Sequence, residues 1–157
     1  MENFRDYLPQ SVEGKNILVT GATTGIGRAT AVLLAQTGAN VIYFGATQEH
    51  LDEARKDIEG AAKGKTLGFL ADVGTEQGIQ KVFEEADAFG TLDILVNNAA
   101  LPYGSVVEGE YSDWKKIIDT NLLAYLACSA MAIDRFKKSG WGHIVNIGSM
   151  SADVREE

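Results

Sequence analysis

Short apolar runs alternate along the chain with stretches of helical periodicity. The runs are mostly apolar throughout rather than alternating with polar residues, which is typical of strands buried on both faces of a parallel sheet. This order of strands and helices predicts an α/β fold, a doubly wound (Rossmann-type) parallel sheet of about five strands with helices on both faces. The runs are residues 17–19, 41–44, 67–71, 94–96 and 144–147.

Helical patterns follow the first four of these runs. The first begins at Gly25, and Thr47, Thr75 and Ser112 are the expected N-caps of the other three. The last helix covers residues 113–138 and ends in cations that precede a glycine, a common helix terminus. The residues that share one face are Ile26, Ala29, Leu33 and Thr37 in the first helix, Leu51, Ala54 and Ile58 in the second, and Ile79, Val82, Phe83, Ala86 and Phe89 in the third.

A glycine-rich turn, residues 20–27, joins the first strand to the first helix. Such a turn gathers unpaired backbone N–H groups and the positive end of a helix dipole, which suits a phosphate. Gly21 would permit the tight turn, Gly25 the approach of a pyrophosphate, and Gly27 close packing of helix on strand. A glycine-rich connection without a ligand is the alternative, but the strand and helix on the correct sides favour a dinucleotide site.

Length and composition narrow the class of protein. The 157 residues fit one domain, with a surface arm over residues 1–13 and a dinucleotide-binding domain over residues 14–157. The net charge of -8 argues against a nucleic-acid or membrane partner. Cys128 is the only cysteine and no apolar run has signal-peptide or membrane-spanning length, so we expect a cytoplasmic protein. No cluster of His and Cys suggests a metal.

Polar residues follow three of the strands, where the ligand crevice of this fold lies. Asp72 follows the third strand and either faces this crevice or caps the next helix. Asn97 and Asn98 follow the fourth strand; we expect Asn97 to stabilise the turn and Asn98 to line the cofactor site. Ser149 ends the fifth strand, and a serine there is often a turn residue only. Asn121 shares the apolar face of the last helix, so its amide is either a bonded core group or a functional one.

Four of these segments resemble motifs of the short-chain dehydrogenase/reductase family. They are Thr-Gly-x-x-x-Gly-x-Gly at residues 20–27, Asn-Asn-Ala-Ala at 97–100, Asp-Thr-Asn-Leu at 119–122 and Ile-Val-Asn-Ile-Gly-Ser at 144–149. The resemblance implies an oxidoreductase that transfers hydride between NAD or NADP and a small-molecule alcohol or carbonyl substrate. It implies catalytic roles for Asn121 and for Ser149, which would hold the substrate carbonyl oxygen, and adenine contacts for the Asp72–Val73 pair. The expected cofactor-binding residues are Gly21, Thr23, Thr24, Gly25, Ile26, Gly27, Thr47, Asp72, Val73, Asn98, Ala99 and Ala100.

The end of the second strand favours NADP over NAD. Gly45, Ala46 and Thr47 stand there, and none of them is an acid that would bond the ribose hydroxyls and repel a 2′-phosphate. An arginine that would clamp the phosphate is also missing at Ala46 and at Thr24. We therefore expect NADP, with Thr47 as a donor to the phosphate, and keep NAD as the alternative.

The family's Tyr-x-x-x-Lys pair, its general acid/base and its ribose ligand, would follow Ser149. Only Tyr111 and Lys115 have this spacing, but they precede Asn121, so we interpret them as coincidence. The chain is thus expected to be a truncated family member that is inactive by itself and prone to associate. A non-catalytic dinucleotide-binding or interaction module is the alternative. A homo-oligomer is expected through helix 113–138, whose apolar residues are Ile117, Leu122, Tyr125, Leu126, Met131, Ile133 and Phe136.

Overall fold

A single parallel sheet forms the centre of the molecule. The computed structural model describes residues 12–102 and 109–149. Within them the sheet has the order β3-β2-β1-β4-β5 and every neighbouring pair is parallel. This confirms the predicted Rossmann-type sheet, and the strand order reverses between β1 and β4. The strands are β1 (Asn16–Val19), β2 (Asn40–Gly45), β3 (Thr66–Leu70), β4 (Ile94–Asn97) and β5 (His143–Asn146).

Helices connect the strands and cover both faces of the sheet. The helix that follows β4 contains a five-residue π-helical turn, Asp119–Leu123, and runs without a break from Tyr111 to Ser139. The π turn carries Asn121 and Thr120, so the irregular part of this helix lies beside the expected site. The helices are α1 (Gly25–Gln36), α2 (Gln48–Ala61), α3 (Glu76–Phe89), α4 (Tyr111–Ile118) and α5 (Ala124–Ser139).

Two apolar clusters lie on opposite faces of the sheet. One packs α1 and α2 against alternate residues of the strands, with Ile17 and Tyr43 fully buried. The other packs α3 and α5 against the intervening residues, with Leu18 and Phe83 fully buried. Burial on both faces explains why the strand segments read as continuous apolar runs.

The face that α1 buries differs from the expected one. Ile26 and Leu33 are 66% and 38% exposed, whereas Gly27, Ala31 and Ala35 are buried. Small side chains let this helix lie close to the strands, and they carry a weaker hydrophobic signal than Ile or Leu. The prediction that followed the large apolar residues is therefore wrong for this helix.

The expected helix caps are found in part. Thr75 Oγ1 accepts a hydrogen bond from Gly78 N at 3.0 Å, which confirms that cap. Thr47 precedes α2 as expected, but its side chain makes no capping bond with the described residues. The expected cap at Ser112 is wrong, because α4 begins at Tyr111, two residues earlier than expected, and Glu110 is its N-cap. There the Glu110 N–H donates to the Asp113 carboxylate at 3.1 Å, the bond that the third helical residue makes to the N-cap in a capping box.

The helical run Tyr111–Ser139 is, by length and composition only, apolar enough to cross a membrane. No uninterrupted apolar run has this length, and the helix qualifies by its mean hydropathy of 1.3 over a window that tolerates isolated charges. Ala124, Cys128 and Ala132 of the same helix are buried in the core. One helix of this kind is weak evidence for a membrane span, since core helices meet the same criteria.

Candidate functional site

The glycine loop after β1 adopts a conformation that favours glycine. Gly21 and Gly25 have φ angles of 62° and 52°, in the left-handed region that other L-residues avoid. A Cβ on Gly21 would lie 2.7 Å from the Ala99 Cα, so the loop also touches the segment after β4. A Cβ on Gly25 would meet nothing within 4 Å, so this residue faces open space at the start of α1. The positive φ of Gly21 fits the tight turn expected there, and the role expected of Gly25, approach of a pyrophosphate, stays a prediction.

Gly27 has a different role from the expected one. A Cβ there would lie 2.3 Å from the Asn98 Nδ2 and 2.4 Å from the Gly21 carbonyl oxygen. The missing side chain thus makes room for the Asn98 amide inside the loop. Gly27 permits the loop itself to close, and contact between α1 and β1 is not what this glycine mainly protects.

A compact hydrogen-bond cluster joins the loop after β1 to the segment after β4. Thr20, 2% exposed, accepts at its Oγ1 from the N–H groups of Asn98 and Ala99 at 2.8 and 2.9 Å. In return the Asn98 Nδ2 donates to the carbonyl oxygens of Thr20 and Gly21 at 2.9 and 3.2 Å. Asn98 therefore holds the glycine loop in place.

Asn97 points away from this cluster and into the protein. It is 1% exposed, and its Nδ2 donates to Ser129 Oγ at 3.0 Å and to the Asn146 Oδ1 at 2.9 Å. These bonds join β4 to β5 and to α5. Asn97 is therefore structural, as expected, but its side chain joins separate elements and does not stabilise the turn after β4.

A cavity of about 680 Å³ lies at the carboxyl ends of β1 to β4, where the strand order reverses. Ligands bind at this position in open α/β sheets. Of the twelve expected cofactor-binding residues, all except Gly27 line it. Those eleven are Gly21, Thr23, Thr24, Gly25, Ile26, Thr47, Asp72, Val73, Asn98, Ala99 and Ala100.

The cavity also brings in residues that the sequence did not single out. His50 lies on the first turn of α2, three residues after Thr47, and this helical spacing is the signal that could have found it. Lys116 and Thr120 reach the cavity from the helix after β4. Thr120 lies inside the segment 119–122 singled out for Asn121, and no local pattern marks Lys116. The others are Phe44, Gly45, Ala46, Ala71, Leu101 and Pro102.

Asp72 makes local bonds at the rim of the cavity. Its Oδ1 accepts from Gly74 N at 2.9 Å, and its carbonyl oxygen accepts from Thr75 Oγ1 at 3.0 Å. The carboxylate thus stabilises the turn that leads into α3, while Thr75 caps the helix. Of the two alternatives for Asp72, the structure places it in the lining of the cavity, and it does not cap α3.

Neither Asn121 nor Ser149, the two expected catalytic residues, lines this cavity. The Asn121 Oδ1 accepts from Leu101 N at 2.8 Å and its Nδ2 donates to the Leu101 carbonyl oxygen at 3.0 Å. Both ends of the amide hold the segment that forms one wall of the cavity. Ser149 is exposed beyond β5, and the neighbouring Ile147 N–H bonds the Asn97 carbonyl oxygen at the same sheet edge.

Neither Tyr111 nor Lys115 lines the cavity at the ends of β1 to β4. Tyr111 is 77% exposed at the start of α4. Lys115 forms an ion pair with Asp119, and this hydrogen bond raises the pKa of the lysine. Lys115 and Asp119 both border a groove between α3 and the long helix. The interpretation of this spacing as coincidence stays a prediction. In the described part of the chain, no group of three His, Cys, Asp or Glu residues could hold a metal ion.

Comparison with known proteins agrees with this geometry. The family model described as short chain dehydrogenase matches residues 15–157. The chain belongs to this family. It is 37% identical over 151 residues to the short chain dehydrogenase/reductase astE of Aspergillus oryzae, covering 94% of this chain and 58% of that protein. It is 41% identical over 140 residues to the 3-oxoacyl-(acyl-carrier-protein) reductase FabG of Escherichia coli K12, covering 88% of this chain and 56% of that protein.

A solved structure extends the likeness to the fold. A metagenomic short-chain oxidoreductase in complex with NADP superposes with a TM-score of 0.83 at 28% identity, covering 94% of this chain and 67% of that one. The chain spans a little over half the length of the two curated relatives. These comparisons show its family and its fold.

Proposed function

We propose that this protein acts as an NADP-dependent oxidoreductase that interconverts a small-molecule carbonyl and an alcohol by hydride transfer. The proposal rests on the cavity that lies where the strand order reverses. The glycine loop and the N-terminus of α1 line this cavity. Its N–H groups and helix dipole suit the pyrophosphate of a dinucleotide. Gly25 leaves the space that this approach needs.

The preference for NADP rests on the end of β2. Gly45, Ala46 and Thr47 line the cavity there without an acid, and His50 lies beside them. The Thr47 hydroxyl makes no capping bond with the described residues, so it is available to donate to a 2′-phosphate. The similar metagenomic oxidoreductase was solved in complex with NADP, which supports this choice. Parallel titrations with NADPH and NADH test it, and a clear preference for NADH would contradict it.

Asn121 and Ser149 are the proposed catalytic residues. Asn121 holds Leu101, a wall of the cavity, so we propose that it positions this wall beside the reacting centre. Ser149 lies at the carboxyl edge of the sheet and would hold the substrate carbonyl oxygen. If so, Ser149→Ala lowers kcat without changing the Kd of NADPH.

The binding site is tested by fluorescence titration of NADPH against Gly25→Val. The valine side chain would occupy the space that faces the pyrophosphate, so binding should be lost. Gly14→Val is the matched control, because Gly14 also has a positive φ (72°) and open space around its Cβ position, but lies before β1 at the opposite edge of the sheet. Unchanged affinity in Gly25→Val, or equal loss in both variants, would contradict the site. A turnover assay on the unmodified protein separates an oxidoreductase from a binding module.

We also propose that the protein forms a homo-oligomer through the helix after β4 and works in the cytoplasm. Residues spaced by about one turn form an exposed apolar stripe, and burial of such a stripe is the usual reason for helix association. Met131 and Phe136, which were expected on this surface, pack against the core instead. The unpaired, buried thiol of Cys128 suits a reducing compartment. The stripe consists of Trp114, Ile118, Leu122, Leu126 and Ile133.

Light scattering tests the oligomer. Leu126→Glu places a charge at the most exposed member of the stripe, so we expect a smaller assembly than for the unmodified protein. Lys137→Glu, at an exposed position near the end of α5, is the control. Equal masses for all three proteins would contradict this interface.

A further inference from the structure

A side chain from the long helix holds the carboxyl end of β5. The Tyr125 Oη donates a hydrogen bond to the Ile147 carbonyl oxygen at 3.2 Å. The Ile147 N–H donates to the Asn97 carbonyl oxygen of β4 at 2.9 Å. The Ile147 side chain is half-buried and packs against the apolar cluster that α1 and α2 cover. The residue two positions before Ser149 is therefore held at its N–H, its carbonyl and its side chain.

The bond from Tyr125 replaces one that the sheet does not make. The Ile147 carbonyl lies just past the last paired residues of β4 and β5. If this parallel ladder continued, the Ala99 N–H would be the donor to that carbonyl. The Ala99 N–H donates instead to the Thr20 Oγ1 at 2.9 Å. Burial raises the pKa of the Tyr125 phenol, so its hydroxyl keeps the proton and serves as the donor at neutral pH.

The position of Ser149 follows from how Ile147 is held. Gly148 stands between them, and a Cβ added there would meet nothing within 4 Å. No side chain therefore fixes the backbone at this step, and the direction in which Ser149 leaves the sheet is set mainly at Ile147. Rotation of the Ile147 carbonyl would move Ser149 along the carboxyl edge of the sheet.

Tyr125 acts from the same helix as Asn121. The two residues are four apart, so their side chains project from about the same side of the helix. Asn121 bonds Leu101 after β4, and Tyr125 bonds Ile147 at the end of β5. One face of the helix thus fixes both segments. We propose that Tyr125 is a positioning residue whose hydroxyl orients Ser149 toward the substrate carbonyl oxygen, an inference that rests on the proposed role of Ser149.

A double-mutant cycle on turnover separates positioning from general packing. The assay follows consumption of NADPH during reduction of ethyl acetoacetate, a small keto ester. Tyr125→Phe keeps the ring and removes the hydroxyl, so we expect kcat to fall about 3- to 10-fold, the effect of one hydrogen bond. In a Ser149→Ala background the same change should alter kcat by less than about 2-fold, because the group that Tyr125 orients is gone. The Kd of NADPH should not change in any of these variants.

Ser139→Ala is the matched control. The Ser139 Oγ also donates to a backbone carbonyl beside β5, that of Trp141 at 2.9 Å. This bond holds the segment that enters β5, at the opposite end of the strand from Ser149, so its loss should leave kcat unchanged. Amide hydrogen exchange reports the Tyr125 bond without turnover: the Ile147 amide should exchange about 3- to 10-fold faster in Tyr125→Phe and at the normal rate in Ser139→Ala.

The outcomes distinguish this inference from the proposed function. Turnover that depends on Ser149 but not on Tyr125 would overturn this inference alone. An equal loss of kcat from Tyr125→Phe with and without Ser149, or an unchanged exchange rate at Ile147, would also overturn it. If the unmodified protein does not reduce the keto ester, the proposed function fails and the positioning role fails with it.

Discussion

Replacement of Thr20 by valine tests the hydrogen-bond cluster that shapes the site. Valine has nearly the shape of threonine, but it removes the oxygen that accepts from the N–H groups of Asn98 and Ala99. Ala99 is 8% exposed and Asn98 is half-buried, so water replaces this acceptor poorly. A buried donor left without its partner costs about 1–3 kcal/mol. With two donors affected, we expect the free energy of unfolding to fall by about 2–4 kcal/mol.

Urea unfolding followed by circular dichroism measures this loss. Thr37→Val is the matched control, because the Thr37 Oγ1 donates only to the Leu34 carbonyl oxygen, at 2.7 Å. The Leu34 carbonyl oxygen also accepts from the N–H groups of Thr37 and Ala39. Removal of the Thr37 hydroxyl therefore leaves no group unpaired and should cost less than about 1 kcal/mol. NADPH affinity should fall in Thr20→Val and stay unchanged in the control. Destabilisation of the two variants by the same amount would refute the reasoning.

Three further predictions concern packing and protonation. Gly27→Ala should lower the free energy of unfolding by about 1–3 kcal/mol, because the added Cβ would clash with the Gly21 carbonyl oxygen. Gly60→Ala, in open space on α2, is the control and should raise the free energy of unfolding by up to about 1 kcal/mol. Equal effects of the two substitutions would contradict the clash. Burial raises the pKa of the Cys128 thiol from 9.0 to about 12, so at pH 8 the folded protein should react with a thiol reagent only as it unfolds, and fast labelling would count against this. The same shift predicts that the free energy of unfolding falls as the pH rises from about 9 to 12, because the thiol of the unfolded chain ionises first. Cys128→Ala should remove up to about 1.4 kcal/mol of this fall per pH unit. The same pH dependence of unfolding in the variant and the unmodified protein would contradict this prediction.

The sequence predicts the sheet well because burial on both faces leaves a direct mark on it. Each strand is a short apolar run, and the structure extends or shifts each by a residue or so. The buried face of α1 was missed because alanine and glycine do the packing there. The cap of α4 was missed because Glu110 and Asp113 take the place of a serine. In both cases the deciding contact comes from neighbours that local periodicity does not show.

The residues of the candidate site also fall into predictable and unpredictable ones. Residues that directly follow a strand, such as Asp72 and Asn98, are predictable because the carboxyl ends of parallel strands share one edge. Lys116 lies within a helix that approaches this edge from another layer, so no local pattern reveals its position. The bond between Asn121 and Leu101 joins residues twenty positions apart and likewise appears only in the folded chain.

A crystal structure of the protein grown with NADP tests the central claim most directly. We predict density for the pyrophosphate at the start of α1, beside Gly25 and Ile26. The 2′-phosphate should lie next to Thr47, and the adenine should lie beside Asp72 and Val73. Density for the cofactor in the groove between α3 and the long helix, or an empty cavity at saturating NADP, would contradict the account.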